Sequence, residues 1–150
     1  MRGNHFLLNM RRDRLSLRER WAALKEMVDE YPSLKLIGYE RYGMMGDIEY
    51  IEEKQAEEGY YFNVVELAGM MAKEDRIRRL EPLFSEGRFL FPAVGIQQGG
   101  RDILAEFIQE EYLFFPFSTH DDMLDAMSRV RDEEVSGGGM LWDKKKLLDR

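Results

Sequence analysis

The stretch Leu34-Lys35-Leu36-Ile37-Gly38-Tyr39 is a short apolar run of the kind that forms a buried β-strand. A second run, from Tyr60 to Leu67, is rich in aromatic and β-branched residues and also predicts a strand. Residues 47–57 lie between the two runs and have the apolar spacing of a helix that Gly59 ends. Strands that alternate with helices predict an α/β fold, with parallel strands near 35–39 and 60–66.

The same alternation continues on both sides of this centre. Ser16 and Glu19 form a capping-box pattern that predicts the start of a helix running to Tyr31. Residues 75–84 predict a helix with Ile77, Leu80 and Phe84 inward and with Arg76 and Arg79 towards solvent. The remaining predicted elements are a strand at 5–10, a strand at 88–91, a turn at Gly99-Gly100 and a helix from Ile103 to about Phe114.

Three carboxylates fall within five residues of the segment Phe117-Ser118-Thr119-His120-Asp121-Asp122-Met123-Leu124-Asp125-Ala126. Thr119 and Asp122 have capping-box spacing, so we predict a helix that starts here and runs to about 134. The three aspartates can share one face of that helix, while Leu124, Met127 and Val130 face a core. On spacing alone, a helix start with solvated acids is favoured over a metal site.

Composition limits the classes of protein. The chain has 150 residues, no cysteine and a net charge of −7, which excludes disulfides and thiolate metal sites and disfavours a general nucleic-acid coat. The charge is uneven: residues 1–20 carry six arginines and two acids, and 47–58 carry six acids and one lysine. No signal peptide or long apolar span is evident, so we expect an intracellular protein without a membrane segment.

Glu40 directly follows the first buried run, at the strand end where open α/β sheets place their ligands. Carboxylates drawn from separate elements, here Glu40 and the acidic helix, suit Mg²⁺ or Mn²⁺, and two such ions can drive phosphodiester cleavage. His120 could position a water or contact a phosphate. Lys73 and Arg76 could bind phosphate. The alternatives are a Glu40–Arg41 pair at an ordinary strand end and a solvated basic helix face.

Three blocks in fixed order carry a resemblance: Leu36-Ile37-Gly38-Tyr39-Glu40-Arg41-Tyr42-Gly43, then Lys73 to Pro92, and then Phe115 to Ala126. The middle block contains Lys-x-x-Arg-Ile, Leu-x-Pro-Leu-Phe, Gly-Arg and Phe-Pro, and the last contains His-Asp-Asp-x-x-Asp-Ala. Together they resemble the C-terminal nuclease domain of the large terminase subunit of tailed phages, over roughly residues 4–132.

The resemblance implies a ribonuclease H-like mixed sheet flanked by helices, and a Mg²⁺- or Mn²⁺-dependent endonuclease that cuts double-stranded DNA during packaging. Glu40 matches the acid at the end of a later strand, and Asp121 or Asp122 matches the helix acid, with Asp125 a neighbouring possibility. The metal ligands would be Glu40, Asp121 and Asp122. Lys73, Arg76 and Arg41 would contact DNA.

The chain departs from the family pattern because it begins at what corresponds to the third strand. The first catalytic aspartate and the ATPase domain are then missing, so we expect a partial nuclease domain over 1–135 and a flexible Gly-rich, basic tail over 136–150. An exposed sheet edge would favour self-association, and an ATPase domain, portal or small terminase are possible partners in the host cytoplasm. The alternatives are an inactive remnant or interaction module, or another nuclease or resolvase of the same fold.

Overall fold

The computed structural model describes residues 3–40 and 46–132, which fall into two compact units. The first unit contains residues 3–14 and Met70–Arg131, and the second contains Leu15–Gly69. The predicted domain over 1–135 therefore spans both units. The predicted tail over 136–150 lies outside the described residues.

The second unit is an α/β arrangement of two helices and two parallel strands. Its elements are α1 (Leu17–Glu30), β2 (Ile37–Glu40), α2 (Gly46–Glu58) and β3 (Val64–Leu67). β2 and β3 are parallel over their whole length, with Ile37 opposite Val64 and Glu40 opposite Leu67. This confirms the predicted parallel pair, although β2 begins three residues later than the apolar run, because the amide of Leu34 donates back to the carbonyl of Tyr31 at 2.9 Å in the turn after α1.

Local signals place the helices of this unit. Ser16 is the N-cap of α1, and both hydrogen bonds of the predicted capping box with Glu19 are present. Gly59 follows α2 with a φ of 62°, a left-handed conformation that suits glycine at a helix end. The side chain of Trp21 is buried, stacks on Phe62 at 5.6 Å and donates from Nε1 to Glu58 at 2.8 Å.

The first unit contains the remaining elements. These are β1 (His5–Phe6), α3 (Lys73–Arg78), α4 (Glu81–Ser85), β4 (Phe89–Leu90), β5 (Gln97–Gln98), β6 (Arg101–Asp102), α5 (Ile103–Phe107), a π-helical turn (Ile108–Tyr112), α6 (Asp122–Ser128) and a 3₁₀ turn (Arg129–Arg131). β1 pairs with β4 in parallel, and β5 pairs with β6 in an antiparallel hairpin. Gly99 and Gly100 form its turn, both with positive φ, which only glycine adopts at little cost.

Several predicted elements are shorter or divided. The helix predicted over 75–84 is two helices, since Pro82 cannot donate to the helix ladder and falls in the first turn of α4. The strand predicted over 5–10 is paired only at His5–Phe6, and α6 ends at Ser128 instead of near 134. The predicted capping box is also wrong, because α6 has Asp121 as its N-cap and no side-chain cap from Thr119.

One hydrophobic core holds the first unit together. Its buried residues come from α3 to α6 and from Met10 in the N-terminal segment, and they are Met10, Ile77, Leu80, Leu83, Ile103, Leu104, Phe107, Met123 and Leu124. Met127 and Val130 pack against this core, which confirms the predicted inner face of the acidic helix.

The described residues thus form a mixed α/β protein with three separate two-stranded pairs. The single ribonuclease H-like sheet stays a prediction, as does self-association through a sheet edge. In the described part of the chain, no helix combines the length and apolarity needed to cross a membrane.

A matched pair of leucines tests the core. Leu83 is fully buried and Leu8 is 67% exposed. Leu83→Ala should lower the free energy of unfolding by about 2–5 kcal/mol, because it leaves a cavity, and Leu8→Ala should change it by less than about 0.5 kcal/mol. Urea unfolding of both variants measures the difference, and equal losses would contradict this core.

Candidate functional site

The acidic helix α6 lies against α3 in the first unit, and two pairs of oppositely charged side chains join them. The inner pair is Arg76 with Asp125: Nε donates to Oδ1 at 2.6 Å and Nη2 donates to Oδ2 at 2.8 Å. The outer pair is Lys73 with Asp122, joined at 2.6 Å. Both pairs are separated by 49 residues, so each helix advances three residues from one pair to the next.

Arg76 and Asp125 form a buried ion pair, with exposed fractions of only 7% and 5%. The guanidinium also donates from Nη1 to the carbonyl of Met71 at 3.2 Å, and the hydroxyl of the buried Ser128 donates to the carbonyl of Asp125 at 2.6 Å. The prediction that Arg76 faces solvent is therefore wrong. A bidentate pair with additional hydrogen bonds is the geometry in which buried charges are tolerated.

Lys73 binds two acids at the start of α6, the partly buried Asp121 and the exposed Asp122. Its Nζ lies 2.6 Å from Oδ1 of Asp121 and 2.6 Å from Oδ1 of Asp122. Partial burial alone would lower the pKa of Lys73, but the hydrogen bonds to both aspartates outweigh it and the pKa is raised. The hydrogen bond from Lys73 likewise lowers the pKa of Asp122 below its ordinary value. The ammonium group of Lys73 therefore pairs with both carboxylates at once.

Glu111 is a residue of this site that the sequence analysis missed. Its side chain is fully buried, and Oε2 accepts hydrogen bonds from the backbone amides of Met123 at 3.0 Å and Leu124 at 2.9 Å. These are first-turn amides of α6, so Glu111 provides the cap that Thr119 was predicted to provide. A signal was present: Glu111 follows Ile103, Leu104 and Phe107 at helical spacing, which places an acid on an inward face.

A cleft of about 1380 Å³ within the first unit is lined in part by Asp122. One wall is the N-terminal segment with Arg11, Arg12 and Arg14, and the other includes the exposed Phe117 and residues next to α6. His120 is exposed and lines the cleft together with Asp122. Arginines can bind phosphate, but acids also line the cleft, and Arg12 donates to one of them, Glu110, at 2.5 Å.

The other predicted site residues lie elsewhere. Glu40 is the last residue of β2, in the second unit, and is partly buried. Arg41 lies outside the described residues. In residues 3–40 and 46–132, no three histidine, aspartate or glutamate side chains come together in a group that could hold a metal ion. The roles assigned to Glu40, Asp121, Asp122, Asp125 and His120 stay predictions.

The comparisons with known proteins add no relative. No protein-family model matches the sequence, and neither the curated proteins nor the solved structures give a significant match. What the fold and the site define is a mixed α/β protein whose first unit carries a lysine-bridged pair of aspartates above a buried arginine–aspartate pair.

The two ion pairs should differ greatly in their effect on stability. Arg76→Met leaves Asp125 buried without its partner and should cost about 3–5 kcal/mol of unfolding free energy. Arg78 pairs with Glu74 on the exposed side of the same helix, where water screens the pair, so Arg78→Met should lower stability far less than Arg76→Met. Urea unfolding measures both variants, and the double variant Arg76→Met/Asp125→Leu should recover part of the loss.

Glu111 should give stability a characteristic pH dependence. Burial raises the pKa of Glu111 above its ordinary value of 4.5, and the two amide hydrogen bonds offset this only in part. Since the folded pKa is raised, the contribution of Glu111 is present below the unfolded pKa and is lost as the pH rises through the folded pKa. Glu111→Gln keeps an acceptor oxygen but cannot ionise, so the variant should gain stability relative to the wild type as the pH rises. Urea unfolding from about pH 4.5 to neutrality tests this, and a constant difference would contradict it.

Proposed function

We propose that the chain carries the nuclease domain of a tailed-phage or prophage DNA-packaging terminase, a metal-dependent endonuclease that cuts double-stranded DNA. The observation that carries the proposal is the meeting of the two most specific sequence blocks in one place. Lys73 and Arg76 of the middle block contact Asp122 and Asp125 of the last block, at the same separation of 49 residues. Contact between two blocks that are distant in sequence and rich in charged residues supports a shared functional site.

The aspartates that would hold Mg²⁺ or Mn²⁺ in the first unit are Asp121 and Asp122. Each presents an oxygen to the same ammonium group, so the two carboxylates already converge on one cation. Mg²⁺ commonly binds through one or two carboxylates and keeps several waters. The metal would activate the attacking water and stabilise the leaving oxygen of the phosphodiester. Glu40 enters the proposal through the sequence resemblance.

Asp125 is not a metal ligand in this proposal but holds the helix in place. Both of its carboxylate oxygens accept hydrogen bonds from Arg76 inside the unit. A carboxylate occupied in this way orients the helix and leaves Asp121 and Asp122 as the acids that face solvent. The guanidinium of Arg76 is equally engaged, so Lys73 is the better placed of the two to meet a phosphate.

The cleft beside Asp122 supports DNA as the ligand. Arg11 and Arg14 lie along it, as does Arg12, which would have to leave Glu110 to bind a phosphate, and arginines bind nucleic acids mainly through the phosphates. His120 would contact the phosphate nearest the acids. In this proposal the protein acts in the host cytoplasm with other packaging proteins, such as an ATPase domain, portal or small terminase.

A second candidate is an inactive remnant or an interaction module of the same fold. The observation that favours it is the position of Lys73, whose ammonium group neutralises Asp121 and Asp122 without any metal. A chain of this kind would keep the helix pair as a structural element and contact DNA or another packaging protein through its surface.

Plasmid cleavage with Mn²⁺ tests the proposal. Asp122→Ala and Glu40→Ala should each reduce cutting by more than about a hundredfold, since even an outer-shell partner of a metal ligand is worth 10–100-fold. Glu52→Ala, on the exposed side of α2, is the matched control and should cut like the wild type.

Unchanged cutting in both acid variants would remove these residues from the site. If the wild type cuts no DNA, and millimolar Mn²⁺ leaves its thermal stability unchanged, the remnant or interaction module becomes the better proposal.

A further inference from the structure

The start of α6 depends on a side chain from another part of the chain. Asp121 is the N-cap residue, but its side chain makes no capping hydrogen bond, and neither does that of any neighbouring residue of the segment. Glu111 makes both capping contacts through Oε2, across 12 and 13 residues of sequence. Glu111 therefore helps to hold the first turn of α6, together with the Arg76–Asp125 pair one turn further on.

Glu111 lies in a π-helical turn. α5 ends at Phe107 and the wider turn Ile108–Tyr112 follows directly; within it Glu111 is buried, and Glu110 lies at the surface and binds Arg12. π-helical turns are rare and frequently occur at functional sites. Leu113 then bonds back to Ile108 at 3.1 Å, which fixes the end of the turn.

The two aspartates that bind Lys73 lie next to the amides that bind Glu111. Asp121 and Asp122 come immediately before Met123 and Leu124, whose amides bind one carboxylate oxygen. A shift of that oxygen moves the backbone that carries both aspartates. Glu111 itself lies in the interior and touches neither Lys73 nor solvent.

We infer that Glu111 is a positioning residue, which holds the first turn of α6 so that Asp121 and Asp122 converge on one cation. Its side chain is long enough for one oxygen to accept hydrogen bonds from the amides of Met123 and Leu124, and this matters more for the position of α6 than its negative charge does. The inference deepens the proposed function and rests on it for its catalytic consequence, but the convergence of the two acids on Lys73 can be measured without metal or DNA.

Two substitutions at Glu111 separate the effect of side-chain length from the effect of negative charge. Glu111→Gln keeps the length and an acceptor oxygen but removes the charge, while Glu111→Asp keeps the charge but withdraws the oxygen by one methylene. NMR of the Lys73 ammonium group, through its ¹⁵N shift and hydrogen exchange, reports whether both aspartates still hold it. Glu111→Gln should resemble the wild type, and Glu111→Asp should lose the protected ammonium signal.

Mn²⁺ affinity, measured by electron paramagnetic resonance, gives the second readout. Glu111→Asp should weaken it by about ten- to hundredfold, as expected for a residue that orients a metal ligand, and Glu111→Gln should leave it nearly unchanged. Glu81→Asp, at an exposed acid of α4, is the control and should alter neither readout.

The outcomes are distinct. A normal Lys73 signal in Glu111→Asp would overturn the inference, as would a lost signal in folded Glu111→Gln, because charge would then matter more than reach. If Glu111→Asp does not fold, Glu111→Gln still tests the inference: a lost Lys73 signal in the folded variant would overturn it, and a normal signal is the expected result. If the Lys73 signals behave as expected but the wild type binds no Mn²⁺, the positioning role stands and the proposed nuclease function fails.

Discussion

The ion pair between Arg76 and Asp125 is the interaction on which the first unit depends. Either charge alone inside the unit would cost several kcal/mol, so each residue requires the other, and the bidentate geometry allows little movement. α3 and α6 are therefore held in one register. In that register, the residues three positions earlier on the two helices, Lys73 and Asp122, also meet. The buried pair thus determines which acids are presented at the surface.

The start of α6 carries more acidic than basic groups, which limits how a phosphate can bind there. Asp121, Asp122 and Glu111 bring three carboxyl groups to the positive end of the helix, and Lys73 supplies one cation. The amides that could otherwise bind a phosphate already bind Glu111. A phosphate can approach these acids only if a cation lies between them. Binding of DNA at this point therefore requires either Lys73 released from one aspartate or a divalent metal ion, which is what the proposed nuclease uses.

Local sequence signals predicted the local structure well. The capping box of Ser16 and Glu19, the stop at Gly59 and the parallel pair β2–β3 are all confirmed, because each depends on residues close in sequence or on the apolar runs themselves. The arrangement of the pairs was not predictable in this way. The pairing of β1 with β4, for example, joins segments that are distant in sequence, and periodicity does not specify such contacts.

The errors at the site have a common physical cause. Arg76 was assigned to solvent because charged residues on an amphipathic helix usually are, and Thr119 was assigned the cap because it has the required spacing. In both cases a distant carboxylate decided the outcome: Asp125 drew Arg76 into the interior, and Glu111 took the amides that Thr119 would have capped. The spacing of residues along the sequence does not show which distant residues will pair. It can still show that a residue needs a partner. An acid at an inward helical position, such as Glu111 after Phe107, must find donors inside the protein, because a buried carboxyl group without them is too costly to keep.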